Sequence, residues 1–200
     1  MNKIITIGRE FGSGGRELAR RLAEELGFEY YDKEIITEIA KRTELSEKYV
    51  KQVIECDPHT LFPITVGHTF AYMQNYGIER QQAVYREKCE VIRAMAEKSN
   101  CVIVGRCADY ILKDYNPFKI FVYSTMESKV KRCRARGDKR EDLSDKKLVR
   151  HIKNIDKSRA RYYSFYTGQD WGKKTNYDIC VNTATVEIPD LVNMIAKMFK

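Results

Sequence analysis

Four glycines fall within eight positions near the start of the chain, at Gly8, Gly12, Gly14 and Gly15. Few local structures accommodate such a run. The residues before it, Ile4, Ile5, Thr6 and Ile7, are β-branched and favour a pleated backbone, which predicts a short buried strand. After it Leu18, Leu22 and Leu26 recur with helical spacing between charged neighbours, which predicts an amphipathic helix. Strand, glycine-rich turn and helix in that order make a cradle for phosphate. Glycines allow positive φ and close backbone approach, and the helix start offers unpaired N–H groups at a positive dipole end. On the glycines alone, a tight structural connection is the alternative.

A Walker A loop reads G-x-x-x-x-G-K-[ST], with its lysine on the β/γ-phosphates and its hydroxyl on Mg²⁺. Placing Gly14 on the second glycine puts Arg9 at the first glycine, Gly15 at the lysine and Arg16 at the hydroxyl. Sliding the pattern by one gives Gly15-Arg16-Glu17 in place of Gly-Lys-Ser. Neither register contains a lysine, and the nearest cations are Arg9 and Arg16. We expect Arg16 to take over as the charge partner. Glu17 reads as the acid of the first helical turn, with a role toward Mg²⁺ as the alternative.

In 200 residues, a hydrophobic content of 43% and a charged content of 32% suit one ordinary globular domain. No apolar run approaches the ~20 residues that cross a membrane, and the opening residues lack a signal-type apolar core, so a cytoplasmic protein is expected. Six scattered cysteines form no C-x-x-C pair and the three histidines lack ligand spacing, so neither a disulfide framework nor a protein-bound structural metal is expected. The net charge of +8 points to an anionic partner. Between Lys129 and Arg161, fourteen Lys/Arg stand against five Asp/Glu, so this one segment outweighs the charge of the whole chain.

Along the chain, strands are predicted at 28–31 (ending at Asp32), 101–104, 118–123 and 177–181. Helices are predicted at 34–41, after an N-cap at Ser46, and at 78–98, 108–112, 126–136, about 144–166 and 187–200. Residues 56–77 lose periodicity among two prolines and several aromatics, which suggests an irregular excursion, either covering a site or lying on the surface. Alternating strands and helices imply a parallel sheet covered on both faces. In the long helix, Leu148, Ile152, Ile155, Tyr162 and Tyr166 share one phase, and Arg159 falls on it. A guanidinium stays charged, so an arginine facing inward needs an anion: a ligand, or alternatively a salt bridge to Asp156 or a sheet carboxylate.

The stretches I-T-I-G-R-E-F-G-S-G-G-R-E-L, Y-Y-D-K-E-I-I, C-V-I-V-G-R-C-A-D-Y-I-L and D-K-S-R-A-R-Y-Y-S-F-Y-T-G occur in this order and span nearly the whole chain. Together they resemble the cytidylate kinase-like family, a divergent branch of the nucleoside monophosphate kinases. The resemblance implies a P-loop α/β sandwich with a monophosphate-binding excursion at 33–98 and a basic lid at 132–161. It implies transfer of the γ-phosphoryl of ATP, with Mg²⁺, to a nucleoside monophosphate such as CMP or dCMP, or to a related small acceptor. Gly12, Ser13, Gly14, Gly15, Arg16 and Glu17 would meet the donor phosphates. Asp32 would lie near the acceptor nucleoside, Arg106 at the acceptor phosphate, and Lys157, Arg159 and Arg161 would close over both phosphates. Arg16, Arg106, Arg159 and Arg161 form the expected catalytic set. Arg132, Arg134 and Arg136 would precede the lid loop.

The chain departs from that family's usual pattern at the loop lysine and where Gly105-Arg106-Cys107 replaces G-R-D. These losses support a second reading, an ATP-binding regulatory or sensing protein with little turnover. A third, RNA binding through the basic segment, lacks the aromatic-plus-glycine motif of RNA-reading sheets, so no specific nucleic acid partner and no membrane partner are expected.

Overall fold

The computed structural model describes residues 2–55, 71–135 and 144–199. In it the first glycine-rich connection joins strand β1 (Ile4–Arg9) to helix α1 (Gly15–Leu26). Then follow β2 (Glu29–Tyr31), α2 (Glu34–Thr43), α3 (Glu47–Glu55), α4 (Ala71–Lys98), β3 (Cys101–Val104) and α5 (Ala108–Ile111). The chain continues through β4 (Phe118–Tyr123), α6 (Met126–Ala135), α7 (Asp145–Thr167), β5 (Ile179–Asn182) and α8 (Ile188–Ala196). The five strands form one parallel sheet in the order β2-β3-β1-β4-β5.

Strand alternation sorts the apolar residues into two cores, because successive side chains point to opposite faces. Ile5 and Ile7 join Val102, Val104, Ile120 and Val122 on one face, where Leu18 and Leu22 of α1 and Leu191 and Ile195 of α8 cover them. Ile4, Cys101 and Ile103 face the other way, against Ile39, Val50, Ile92 and Tyr162 of α2, α3, α4 and α7. With β1 central, the glycine loop emerges beside the end of β3, at the carboxyl edge of the sheet where open parallel sheets hold ligands.

Most predicted elements stand within one or two residues of their expected limits. Ser46 caps α3 by accepting from the Tyr49 N–H at 3.3 Å. The last strand begins at Ile179 rather than 177, because Lys174–Asn176 is a 3₁₀ turn that carries Tyr177 toward the core. Helix α4 begins at Ala71, so the expected irregular stretch 56–77 is helical over its last seven residues, including Gly77; its first part, 56–70, lies outside the described residues, as does the expected break at Gly137-Asp138.

One core residue was not anticipated. Lys88 of α4 is fully buried, donates to the Tyr162 hydroxyl at 3.0 Å, and lies 4.1 Å from the Tyr85 ring centre. The Tyr162 and Tyr166 rings complete an aromatic box that joins α4 to α7. No carboxylate pairs with it among the described residues. Burial lowers its hold on the proton below the ordinary lysine value of 10.5. The folded chain thus binds this proton less tightly than the unfolded chain, and Lys88 costs stability until the pH rises past that ordinary value. Lys88→Met is expected to raise the melting temperature at about pH 7, the gain shrinking by about pH 11. Thermal unfolding of both proteins across that range checks it, and a gain independent of pH would count against the electrostatic origin.

Candidate active site

The glycine loop is held from several sides. The Glu10 N–H donates to the Val122 carbonyl at 2.9 Å, which keeps the chain on the sheet edge after β1 ends. Buried Ser13 turns inward: its hydroxyl donates to the Glu10 carbonyl at 2.8 Å, and its own carbonyl accepts from Thr183 Oγ1 at 2.6 Å. The Phe11 N–H donates to Asp156 Oδ1 of α7 at 2.7 Å. The buried ammonium of Lys129, on α6, lies 2.6 Å from Glu10 Oε2 and 3.1 Å from Asp156 Oδ2. Burial pushes Asp156 above the usual carboxylate value, against the opposing pull of the Phe11 N–H and Lys129. One lysine and two carboxylates thereby tie the loop to α6 and α7.

No protein acceptor pairs with the N–H of Gly12, Gly14 or Arg16 among the described residues. These are the orphan donors of a helix start, and they suit an anion. A cavity of about 150 Å³ lies there, lined by Gly12, Gly14, Gly15, Arg16, Arg132 and Arg159 among others.

Around this loop the arginines gather on one carboxylate. Asp32, at the end of β2, is buried; Arg16 Nε contacts its Oδ2 at 2.6 Å, and Arg9 and Arg106 approach Oδ1 at 3.7 and 4.0 Å. Arg106 Nε also donates to the Asp32 carbonyl at 3.2 Å. Arg159 donates to the Arg9 carbonyl at 3.1 Å and lies 3.7 Å from Asp156. Burial, and next the charge of Arg159, push Arg9 down to about 9, so it remains a cation at neutral pH without being well compensated. Counting Lys129, five cations gather around Asp32, Glu10 and Asp156.

A second cavity, of about 440 Å³, adjoins the first. Arg9, Phe11, Arg16 and Arg159 line both. Its remaining wall includes Lys51 of α3, Arg106, Asp109, Asn154, Ser158, Tyr163, Trp171 and Tyr177. Asp109 accepts from the Tyr163 hydroxyl at 2.6 Å, and burial raises its pKa above the ordinary carboxylate value.

The structure brings together Gly12, Ser13, Gly14, Gly15, Arg16, Arg106 and Arg159. Asp32 sits behind the arginines as their counter-ion and lines neither cavity. Lys157 and Arg161 lie on the exposed side of α7, also outside both cavity walls. Arg132 donates to Ser124 at 3.2 Å and to the Thr183 carbonyl, and lines the smaller cavity, whereas Arg134 pairs with Asp145 at 2.9 Å. Arg136 is outside the described residues. Glu17 pairs with Arg21 at 3.0 Å. Sequence reasoning did not place Lys129, Glu10, Asp109 or Lys51 at the site. Only Lys129 left a trace, sharing a helical face with Cys133, and both meet the space a Cβ on Gly12 would fill.

The residues do not fit a protein-ligated Mg²⁺. Where Walker A has its hydroxyl stands Arg16, and Asp32, Glu10, Asp156 and Glu17 are all engaged by cations. No group of three His, Cys, Asp or Glu that could hold a metal occurs among the described residues. Nor is any described helix long and apolar enough to cross a membrane.

A parallel sheet whose central strand runs through a glycine loop into a helix, with arginines converging on that loop, has the P-loop kinase fold. The chain belongs to the cytidylate kinase-like family, which matches residues 4–185. The cytidylate kinase of Thermococcus kodakarensis is 27% identical over 183 residues, covering 90% of this chain and 79% of that protein. That of Thermoplasma acidophilum is 26% identical, covering 96% and 89%. The crystal structure of an uncharacterized protein from Eubacterium ventriosum superposes with a TM-score of 0.71 at 32% identity, covering 99% of this chain and 98% of that one. A shikimate kinase from Bacteroides thetaiotaomicron, at 15% identity, 98% coverage of both chains and a TM-score of 0.58, shares the fold.

Lys129→Met leaves Glu10 and Asp156 facing each other without their cation. Breaking a buried pair in this way costs about 3 kcal/mol. The deficit, read by denaturant unfolding, is expected in full above the carboxylate range and to shrink as acid protonates Asp156, whose pKa burial already raises. A loss that stayed constant down to about pH 3 would show that packing, not charge, is what the lysine supplies.

Proposed function

We propose that this chain is a phosphotransferase that moves the γ-phosphoryl of ATP to a nucleoside monophosphate, CMP- or dCMP-like, or to a related small acceptor. The observation that carries the proposal is the convergence of Arg9, Arg16 and Arg159 on the wall shared by two adjoining cavities, with Arg106 lining the larger one beside them. Phosphoryl transfer leaves a protein little covalent work; it must align two phosphates and offset charge that builds on the oxygens between them. Guanidinium groups suit that task because they stay protonated and grip oxygens in pairs.

In this reading the smaller cavity takes the donor phosphates on Gly12–Arg16 and the larger takes the acceptor. Arg106 holds the acceptor phosphate, and Arg159 lies between the two. Asp32 sets the directions of Arg9, Arg16 and Arg106 before either substrate arrives. The 33–98 excursion supplies Lys51 and Ile54 to the acceptor wall. Lys157 and Arg161 reach the phosphates only when the 132–161 lid closes. No step is assigned to Mg²⁺.

A second reading, an ATP-binding sensor with little turnover, is favoured by Gly15 at the lysine position and by the lack of a metal-ligand set among the described residues. Single-turnover experiments with γ-labelled ATP and a panel of nucleoside monophosphates separate the two. The kinase reading expects label on a monophosphate, with Arg106→Ala and Arg159→Ala each slowing transfer about 100-fold. Tight ATP binding with no label transferred to any acceptor would leave the sensor.

A further inference from the structure

The loop has room for one long side chain at its throat, and the chain places that side chain at position 9. A Cβ added to Gly15 would fall 2.6 Å from Arg9 Cβ, closer than two such carbons approach. Positions 9 and 15 therefore cannot both carry side chains in this backbone. The Walker pattern resolves the conflict with glycine first and lysine second; here Arg9 comes first and Gly15 second. A third glycine completes the arrangement. The Arg9 guanidinium lies over Gly105, where φ is +70° and where a Cβ would fall within the guanidinium itself.

Resting on the kinase reading, we infer that Arg9, and not Arg16, is the cation that grips the donor phosphates, entering the loop from the strand side to do the work of the absent lysine. Three observations support this. The Arg9 side chain is 14% exposed and lines both cavities. None of its guanidinium donors has a hydrogen-bond acceptor among the described residues, since its nearest carboxylate oxygen, Asp32 Oδ1, is 3.7 Å away. That oxygen is itself buried without a hydrogen-bond partner. Arg16, by contrast, is half exposed, and its Nε already pairs with Asp32 at 2.6 Å. A mostly buried guanidinium whose donors meet no protein acceptor among the described residues and open onto a cavity suits an anion, and phosphate oxygens meet its planar fork in pairs. Because the group borders both cavities, its planar fork can touch a donor oxygen on one side and the transferred phosphoryl on the other.

The test is equilibrium binding of ATP by calorimetry to the full chain, with thermal unfolding as a check that each variant folds. Arg9→Ala is expected to weaken ATP binding about 100-fold, Arg9→Lys to keep part of the affinity, and Arg16→Ala to weaken it by a smaller factor. Gly15→Lys with Arg9 retained is expected to lower the melting temperature and abolish binding. The double variant Arg9→Gly with Gly15→Lys, which restores the Walker order, is expected to bind within about 10-fold of the parent. Arg9→Ala with unchanged affinity, Arg16→Ala more damaging than Arg9→Ala, or a tolerated Gly15→Lys would each overturn the inference. So would a folded double variant that binds no better than Arg9→Ala; if the double variant does not fold, the comparison of Arg9→Ala with Arg16→Ala decides. A parent chain that binds no ATP sinks the kinase reading and takes this inference with it, whereas a parent that binds, beside an unaffected Arg9→Ala, removes this inference alone.

Discussion

Asp32 is a single buried carboxylate set against the guanidinium groups of Arg9, Arg16 and Arg106. Left alone, those charges would repel one another in a half-buried space where water screens them poorly. One aspartate at the end of β2 is enough to collect them. That shared contact shapes the site. It holds arginines from the end of β1, from α1 and from the end of β3 within one cluster beside the cavities. The sheet supplies the precision: β1, β2 and β3 are adjacent parallel strands, so their ends deliver Arg9, Asp32 and Arg106 to the same edge.

The fold was largely legible because its signals are local. Ile4–Ile7 and Cys101–Val104 are continuous apolar runs of strand length, and Leu18, Leu22, Leu148 and Ile152 recur at helical spacing. These patterns reflect burial on a sheet or a helix face, which neighbouring residues alone determine. The start of α4 was missed because aromatics and Gly77 obscure the helical period there. The 3₁₀ turn before β5 was missed because Tyr177 and Ile179 both look like strand residues, and only the packing of Tyr177 into the site decides between them.

The site was legible in outline and not in detail. The glycine loop, Arg106 and Arg159 could be named because the loop pattern, the end of a buried strand and a helical phase each mark them. Arg159 makes the salt bridge to Asp156 foreseen as one alternative and also donates to the Arg9 carbonyl. Asp32, expected near the acceptor nucleoside, stands against Arg9, Arg16 and Arg106 and lines neither cavity. A choice between Arg9 and Arg16 is beyond a motif read position by position. The exclusion between residues 9 and 15 lies in space, six residues apart along the chain, and becomes visible only when both Cβ positions can be measured. Lys129 illustrates the same limit, since a lysine in a basic helix reads as solvated until its carboxylate partners from two other segments are known.

Asp156 joins two parts usually thought of separately. One of its oxygens accepts the Phe11 N–H and the other meets Lys129, while three residues further along α7 Arg159 grips the Arg9 carbonyl. The long helix is therefore stitched to the backbone of the glycine turn at two successive points. Any swing of that helix must drag the turn with it, and any anion that stiffens the turn must also steady the helix.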